Sequence, residues 1–355
     1  MSAVVKLDLA TNYYYSGCTP NCNLYKLFFK ITEKHTNNSV LRKIVRGLEY
    51  FFAYLRLLRI IKNNKYDYIH IQWLLMYKLD FIFLKQIKRR NEKIILTAHN
   101  ALPHVNADKY IKELRKIYAI VDKILVHGKA IEQEMLAVFP ELKGKIIIQP
   151  HGAVLQRKSM RPDYSVDKLI LDRVANKELY IMFGNQFYNK GTDRLLNIWR
   201  ENYLNDPQKF LVIAGRKNSD YPELEQAKKL LDHCDNVMFL DGYIDDELLE
   251  FLILHSEAIL LPYRHASMSG VVFTAAEYQT TILTTKCGAI PEYLENGKDS
   301  IIVDNSEEGF AAGLKEMMLM TRDARKTFGR RLYENINTKY SWESIAKLLL
   351  ERVYI

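Results

Sequence analysis

The sequence predicts an α/β protein built of two halves, each a parallel sheet covered by helices on both faces. Three observations predict it. Short apolar runs rich in Ile, Leu and Val alternate with helix-period segments along most of the chain. The rhythm pauses at a mostly polar stretch, 156–168, and then restarts. A length of 355 residues also suits two domains of roughly 150 residues each. The expected domains are 1–154 and 169–338, followed by a C-terminal helical segment, 339–355.

In the first half, 4–9 reads as a strand, 24–32 and 41–62 as helices, and 68–72 as a strand. A helix over 81–90, a strand over 94–97 and a helix over 109–118 follow. A strand over 124–127, a helix over 129–138 and a strand over 146–149 complete the half. In the second, strands are expected at 179–183, 210–214, 237–240, 258–261 and 282–285. Helices start near Asp193, Tyr221, Asp245 and Val271, and the last helix covers 342–353. In such open sheets ligands sit at the carboxyl ends of the strands, where the strand order reverses.

Bulk properties exclude several classes. The chain contains no run of about 18 apolar residues, so no spanning helix is expected, and the N-terminus does not read as a signal peptide. Cys18, Cys22, Cys234 and Cys287 are scattered, which favours free thiols in a reducing compartment over a disulfide or metal site. The net charge of +9 is unevenly spread: residues 1–150 carry 25 Lys and Arg against 12 Asp and Glu. The excess gathers between Arg42 and Arg90, interleaved with Tyr50, Phe51, Phe52, Tyr54, Leu55, Leu57 and Leu58. A basic helix with an aromatic and aliphatic face suits an anionic lipid surface. No nucleic-acid motif accompanies it, so nucleic acid is not an expected partner.

The richest segment is 260–304. An apolar strand stops at Pro262, a polar loop holds Ser267, Ser269 and Gly270, and a helix opens at Val271. The unpaired amides and positive end of such a helix favour a phosphate. Glu277 lies two turns on, and a second strand leads to Gly288 and the Pro291–Glu292 turn. This order resembles the donor-sugar site of retaining glycosyltransferases of the GT-B fold, the glycosyl transferases group 1 family. Glu277 matches the second acid of the family's Glu-x7-Glu element, Gly288 its small-residue turn and Glu292 its trailing acid. Ser269 stands where the first acid is usual. The resemblance implies two Rossmann-like domains facing a central cleft, with the C-terminal helix crossing back to the first domain.

It also implies roles for particular residues. Gly184 and Asn185 follow the first strand of the second half, and Asn185 occupies a position usually held by Arg. Lys190, with Gly191, matches a Lys-Gly element beside the leaving diphosphate, where an ammonium stabilises developing charge. Arg216, in the next loop, is the expected substitute for the cation missing at 185. Tyr243 lies in the segment that resembles the base-reading loop, and Tyr263, followed by Arg264, precedes the phosphate seat. Ser269, Gly270, Val271 and Val272 would offer backbone amides, and Glu277 would hold the ribose. In the first half, His99 ends a buried strand where relatives place a sugar-facing His; His104 is second. Asn100 and Gly17 join His104 as expected acceptor contacts. The expected catalytic group is therefore His99, Lys190 and Ser269.

Two carboxylates, Asp80 and Asp108, are the only weak candidates for an inverting base, so the resemblance favours retention, with the departing phosphate taking the acceptor proton. The expected reaction moves a sugar from a nucleotide-sugar to a saccharide acceptor, lipid-linked, for surface polysaccharide or glycan assembly. No cofactor and no metal are expected, because the nucleotide-sugar is itself the substrate. The expected location is cytoplasmic, on the inner face of the membrane through 42–90. The competing readings are a sugar-nucleotide 2-epimerase of the same fold and a non-catalytic module binding sugar nucleotides or anionic lipid.

Overall fold

A computed structural model describes residues 6–16, 22–34, 40–90, 92–103, 107–153, 155, 167–218 and 220–354. These fall into two compact units that interleave in sequence. The first is drawn from 1–98, 102–125 and 142–146, the second from 99–101, 126–141 and 147–355. Gly17, Cys18 and His104 lie outside the described residues, as does most of the expected linker; Cys22, Cys234 and Cys287 are free thiols.

Through residue 148 the chain order is β1 (Leu7–Asn12), β2 (Cys22–Phe28), α1 (Val40–Asn63), β3 (Tyr68–Ile71), α2 (Tyr77–Lys88), β4 (Lys93–Thr97), α3 (Ala107–Ile120), β5 (Lys123–Val126), α4 (Lys129–Val138) and β6 (Ile146–Ile148). The strands β3-β4-β5-β6 form one sheet in that order, with β3–β4 and β4–β5 parallel. β1 and β2 form a separate parallel pair.

β2 corrects the helix expected over 24–32. Leu24, Leu27 and Phe28 have helical spacing, but tertiary pairing with β1 and the β preference of Tyr25 and Phe28 prevail. Phe29 then takes φ +58°, which stops any right-handed helix there. Its ring stacks on Tyr50 of α1, and Tyr54 of α1 stacks on Phe83 of α2. Asp80 is sealed in this aromatic cluster. Tyr50 and Tyr54 donate to one carboxylate oxygen (2.6 and 3.2 Å), and the Met76 amide donates to the other (2.9 Å). Burial outweighs these bonds and raises its pKa. Asp80 is thus a core residue, removed from any role as a surface base.

The second unit continues with α5 (Lys168–Val174), β7 (Glu178–Phe183), α6 (Thr192–Asn202), β8 (Lys209–Gly215), α7 (Pro222–Lys229), β9 (Val237–Asp241), α8 (Asp246–His255), β10 (Ser256–Leu261), α9 (Gly270–Glu277), β11 (Ile282–Thr285), β12 (Ser300–Val303), α10 (Glu307–Leu319), α11 (Arg322–Tyr340) and α12 (Trp342–Val353). Its six strands run parallel in the order β12-β11-β10-β7-β8-β9. The order reverses between β7 and β10, so their carboxyl ends mark the switch point. The strands are almost wholly buried, as expected of a sheet covered on both faces. β12, α10 and α11 have no counterpart in the sequence reading. α11 is polar overall, and its core-facing stripe is only Arg325, Gly329, Leu332 and Ile336.

Candidate functional site

Four loops leave the sheet around the switch point, after β7, β8, β10 and β11, and are fastened to one another through glycines. After β7, Gly184 (φ +107°) lies against Gly215 (φ +135°), the last residue of β8, so closely that a Cβ on Gly215 would collide with the Gly184 carbonyl. Gln186, buried beneath this contact, donates to Gly184 O (2.7 Å) and accepts from the Thr192 hydroxyl. Gly191 (φ +70°) meets the Pro262 carbonyl after β10 in the same way, and Gly288 (φ +52°), after β11, meets the carbonyl of Ala266 in the loop that follows β10. Only glycine tolerates both that backbone and that approach.

This fastening assembles a short chain of side chains. Lys190 Nζ lies 3.8 Å from the centre of the Tyr263 ring, a cation–π contact. Tyr263 is 1% exposed, and its hydroxyl is 3.3 Å from Ser269 Oγ. Ser269 is itself buried and is the N-cap residue of α9. Lys190, Tyr263 and Ser269, separated by up to 79 positions, are therefore brought together at the start of one helix.

Arg264, next to Tyr263, is committed to the protein. It makes a bidentate pair with Asp193 (2.7 and 2.8 Å), donates to Tyr188 O and stacks on the Tyr188 ring. Tyr221 also donates to Asp193. Burial opposes ionisation of Asp193, but the hydrogen bonds from Arg264 and Tyr221 and the Arg264 charge prevail and hold its pKa below the usual range. The Asp193 bonds in turn raise the pKa of Arg264. Asp193 and Tyr221 enter the sequence reading only as helix starts, not as site residues; the one available signal was Asp193 following the Lys-Gly pair by two residues.

The remaining expected donor contacts differ in exposure. Gly184 and Asn185 are exposed after β7, Gly270 is exposed as the first residue of α9, Arg216 is exposed after β8, and Tyr243 is 86% exposed after β9. Val271 is half-buried. Val272 packs its side chain in the core, and its amide already donates to Ser269 O (3.2 Å), so it is engaged within the helix. Glu277 is half-buried at the last turn of α9. Glu292 serves a different element: its carboxylate accepts from the Lys129 and Ala130 amides (2.9 and 3.0 Å) and caps α4. Gly128 leaves the room for it.

His99 joins a histidine cluster in the second unit. His99 Nδ1 is 3.0 Å from His127 Nε2, and His127 Nδ1 is 3.0 Å from Gln149 O. The His127 ring neighbours that of His151, which stacks on Phe273 of α9. Burial lowers the His127 pKa to about 4. Asn100 is half-buried beside His99 in sequence, whereas Asp108 is exposed in the first turn of α3. Among the described residues no group of three or more His, Cys, Asp and Glu is arranged to hold a metal ion.

With the glycine-fastened loops, Lys190 and Ser269 in place, comparison with known proteins bears on the second unit. Residues 177–319 match the family Glycosyl transferases group 1. A probable sucrose-phosphate synthase from Thermosipho melanesiensis is 24% identical over 234 residues, 62% of this chain and 50% of that protein. The chain thus spans about half the length of the curated relatives it matches. Among solved structures, sucrose-phosphate synthase from Thermosynechococcus elongatus superposes with a TM-score of 0.73 at 16% identity, covering 98% of this chain and 88% of that one. Anabaena HepE, solved in complex with UDP, gives 0.68 at 14% identity, covering 85% and 82%. The chain has the GT-B fold.

Proposed function

We propose that this protein is a glycosyltransferase that moves a sugar from a nucleotide-sugar donor to a saccharide acceptor. The observation that carries the proposal is the Lys190–Tyr263–Ser269 chain at the switch point of a group 1 domain. In this reading Lys190 neutralises the diphosphate as the glycosidic bond breaks, and the start of α9 seats the phosphate. A lysine cation in that place supports a metal-independent reaction. A uridine diphosphate donor is the first to try, because HepE was solved with UDP. With Asp80 sealed in a core and Asp108 on an exposed helix start, retention is the favoured outcome.

The acceptor we propose is lipid-linked, in surface polysaccharide or glycan assembly, with the enzyme on the cytoplasmic face of a membrane. α1 supports this. Its buried residues, Tyr50, Ala53, Tyr54 and Ile61, occupy one side, whereas Val40, Leu41, Ile44, Leu48, Phe51, Phe52 and Leu55 are all exposed on the other. At about 100° per residue the exposed seven share an arc of roughly 120°. Arg59 and Lys62 continue the same side. No described helix is long and apolar enough to cross a membrane, so the contact proposed is a helix lying in the interface.

Incubation with labelled nucleotide sugars and membrane lipid extract tests the proposal. Transfer of label to a lipid-linked product that persists in EDTA, with the donor's anomeric configuration kept, is the expected result. Donor isomerisation without transfer would identify an epimerase, and binding without turnover a non-catalytic module; either would overturn it.

A further inference from the structure

Lys190 and the Tyr263 ring it lies against belong to different segments, so their alignment depends on what joins those segments. The neighbours of Lys190 on both sides are tied to the stretch that carries Tyr263. Asn189 O accepts from the Arg264 and His265 amides (2.8 and 3.2 Å), and the Asn189 side chain donates back to His265 O (2.9 Å). Tyr188 O accepts from the Arg264 guanidinium (2.9 Å), and Asp193 accepts from both of its terminal nitrogens (2.7 and 2.8 Å). Gly191 is pressed against the Pro262 carbonyl. The ion pair is anchored on its far side as well. Tyr221 donates to Asp193, while Asn305, in the loop after β12, donates to Arg264 O (2.8 Å) and accepts from the buried Arg194 (3.0 Å).

We propose that Asp193 and Arg264 are positioning residues: their bidentate pair clamps the segment of Lys190 to that of Tyr263 and so keeps the Lys190 ammonium over the ring. The inference rests on the reading above that Lys190 stabilises the departing diphosphate. It deepens that reading by assigning the groups that set where this charge stands. A lysine ends a long flexible stem, and ordering that stem at the moment of reaction costs entropy. A fixed backbone at one end and a π face at the other settle the geometry in advance. The guanidinium and carboxylate neutralise each other, so the clamp brings no net charge of its own to the phosphate seat.

NMR of the protein labelled with 13C-lysine reads the position of Lys190 directly, because ε-methylene protons beside an ammonium over a tyrosine face resonate upfield of free lysine. The Lys190 signal is the one that Lys190→Met removes. Asp193→Asn keeps the shape but leaves one oxygen for the three donors from Arg264 and Tyr221. It should move that signal toward the free-lysine position and lower kcat about tenfold, with donor KM changing less than about twofold. In the double variant with Lys190→Met, kcat should match that of Lys190→Met alone within about twofold, since a clamp acts only through the group it holds. Asn189→Ala breaks the tie to His265 O without unpairing a charge. It should shift the signal in the same direction, and it carries the test if Asp193→Asn does not fold. A signal unmoved in the folded variants, or losses that multiply in the double variant, would overturn the inference. The signal is scored without reference to turnover, so a response to Asp193→Asn in a protein that transfers no sugar would overturn the functional reading alone.

Discussion

Lys190 lies against the face of a buried tyrosine, which holds its ammonium near the start of α9 without neutralising it. A carboxylate partner would cancel the charge needed by a diphosphate; a π face orients the cation and leaves its charge in place. Lys190→Met should therefore lower kcat by about 10²–10³, the usual loss when one charge-stabilising group is removed, while the melting temperature stays within a few degrees. Steady-state kinetics beside a thermal melt checks both halves. Arg216 is exposed on the neighbouring loop, so Arg216→Ala should raise donor KM about tenfold and leave kcat nearly unchanged, as a lost charged phosphate contact would. An unchanged KM would remove Arg216 from the donor site. Lys190 could be singled out in the sequence because its Lys-Gly pair is local. The Asp193–Arg264 pair could not, because its members are 71 positions apart and meet only through the sheet.

Helices and strands differ in how well the chain announced them. β11, α4 and α12 fall on their expected ranges because each carries a strong apolar period of its own. β2 read as a helix because a short stretch with helical spacing carries little information until a partner strand is present. α1 was legible as amphipathic, yet the sequence could not reveal that its packing face is a narrow tyrosine seam and that the aliphatic face points outward. That outward face makes a prediction: Leu48→Asp with Phe52→Asp should abolish flotation with anionic vesicles while leaving the thermal melt almost unchanged, since both residues are exposed. Charge-reversing Arg59 and Lys62 should instead weaken binding by about 1 kcal/mol each at low salt. α4 offers a second test. Glu292→Ala leaves the Lys129 and Ala130 amides without their cap and should cost about 0.5–2 kcal/mol in denaturant unfolding.

At the scale of the molecule, acid should act through buried imidazoles. Burial lowers the pKa of His127 and of His70, which is bonded to Thr97, to about 4 from an ordinary 6.5. Between these values the unfolded chain binds protons that the folded chain does not. Stability is therefore complete above about pH 6.5 and falls as pH drops toward 4, by up to about 1.4 kcal/mol per pH unit for each group. Urea unfolding of the unmodified protein and of His127→Gln at pH 7 and 5 checks the sign: the variant should lose less on acidification. The doubly wound sheet was readable in outline from its apolar strands. Its closing elements, β12, α10 and α11, were not, because α11 exposes most of its length and reaches the core through a stripe that includes Gly329, pressed against the Gln279 carbonyl.

The glycine contacts at 191, 215 and 288 bear on how such a site can change over evolutionary time. Loops whose backbones touch at three points have little slack: lengthening one would displace its neighbours and the first turn of α9 with them. A changed specificity at such loops is therefore expected from exchange of side chains rather than from insertion. The positions free to be exchanged are those outside the contacts, among them the exposed Asn185, Arg216 and Tyr243.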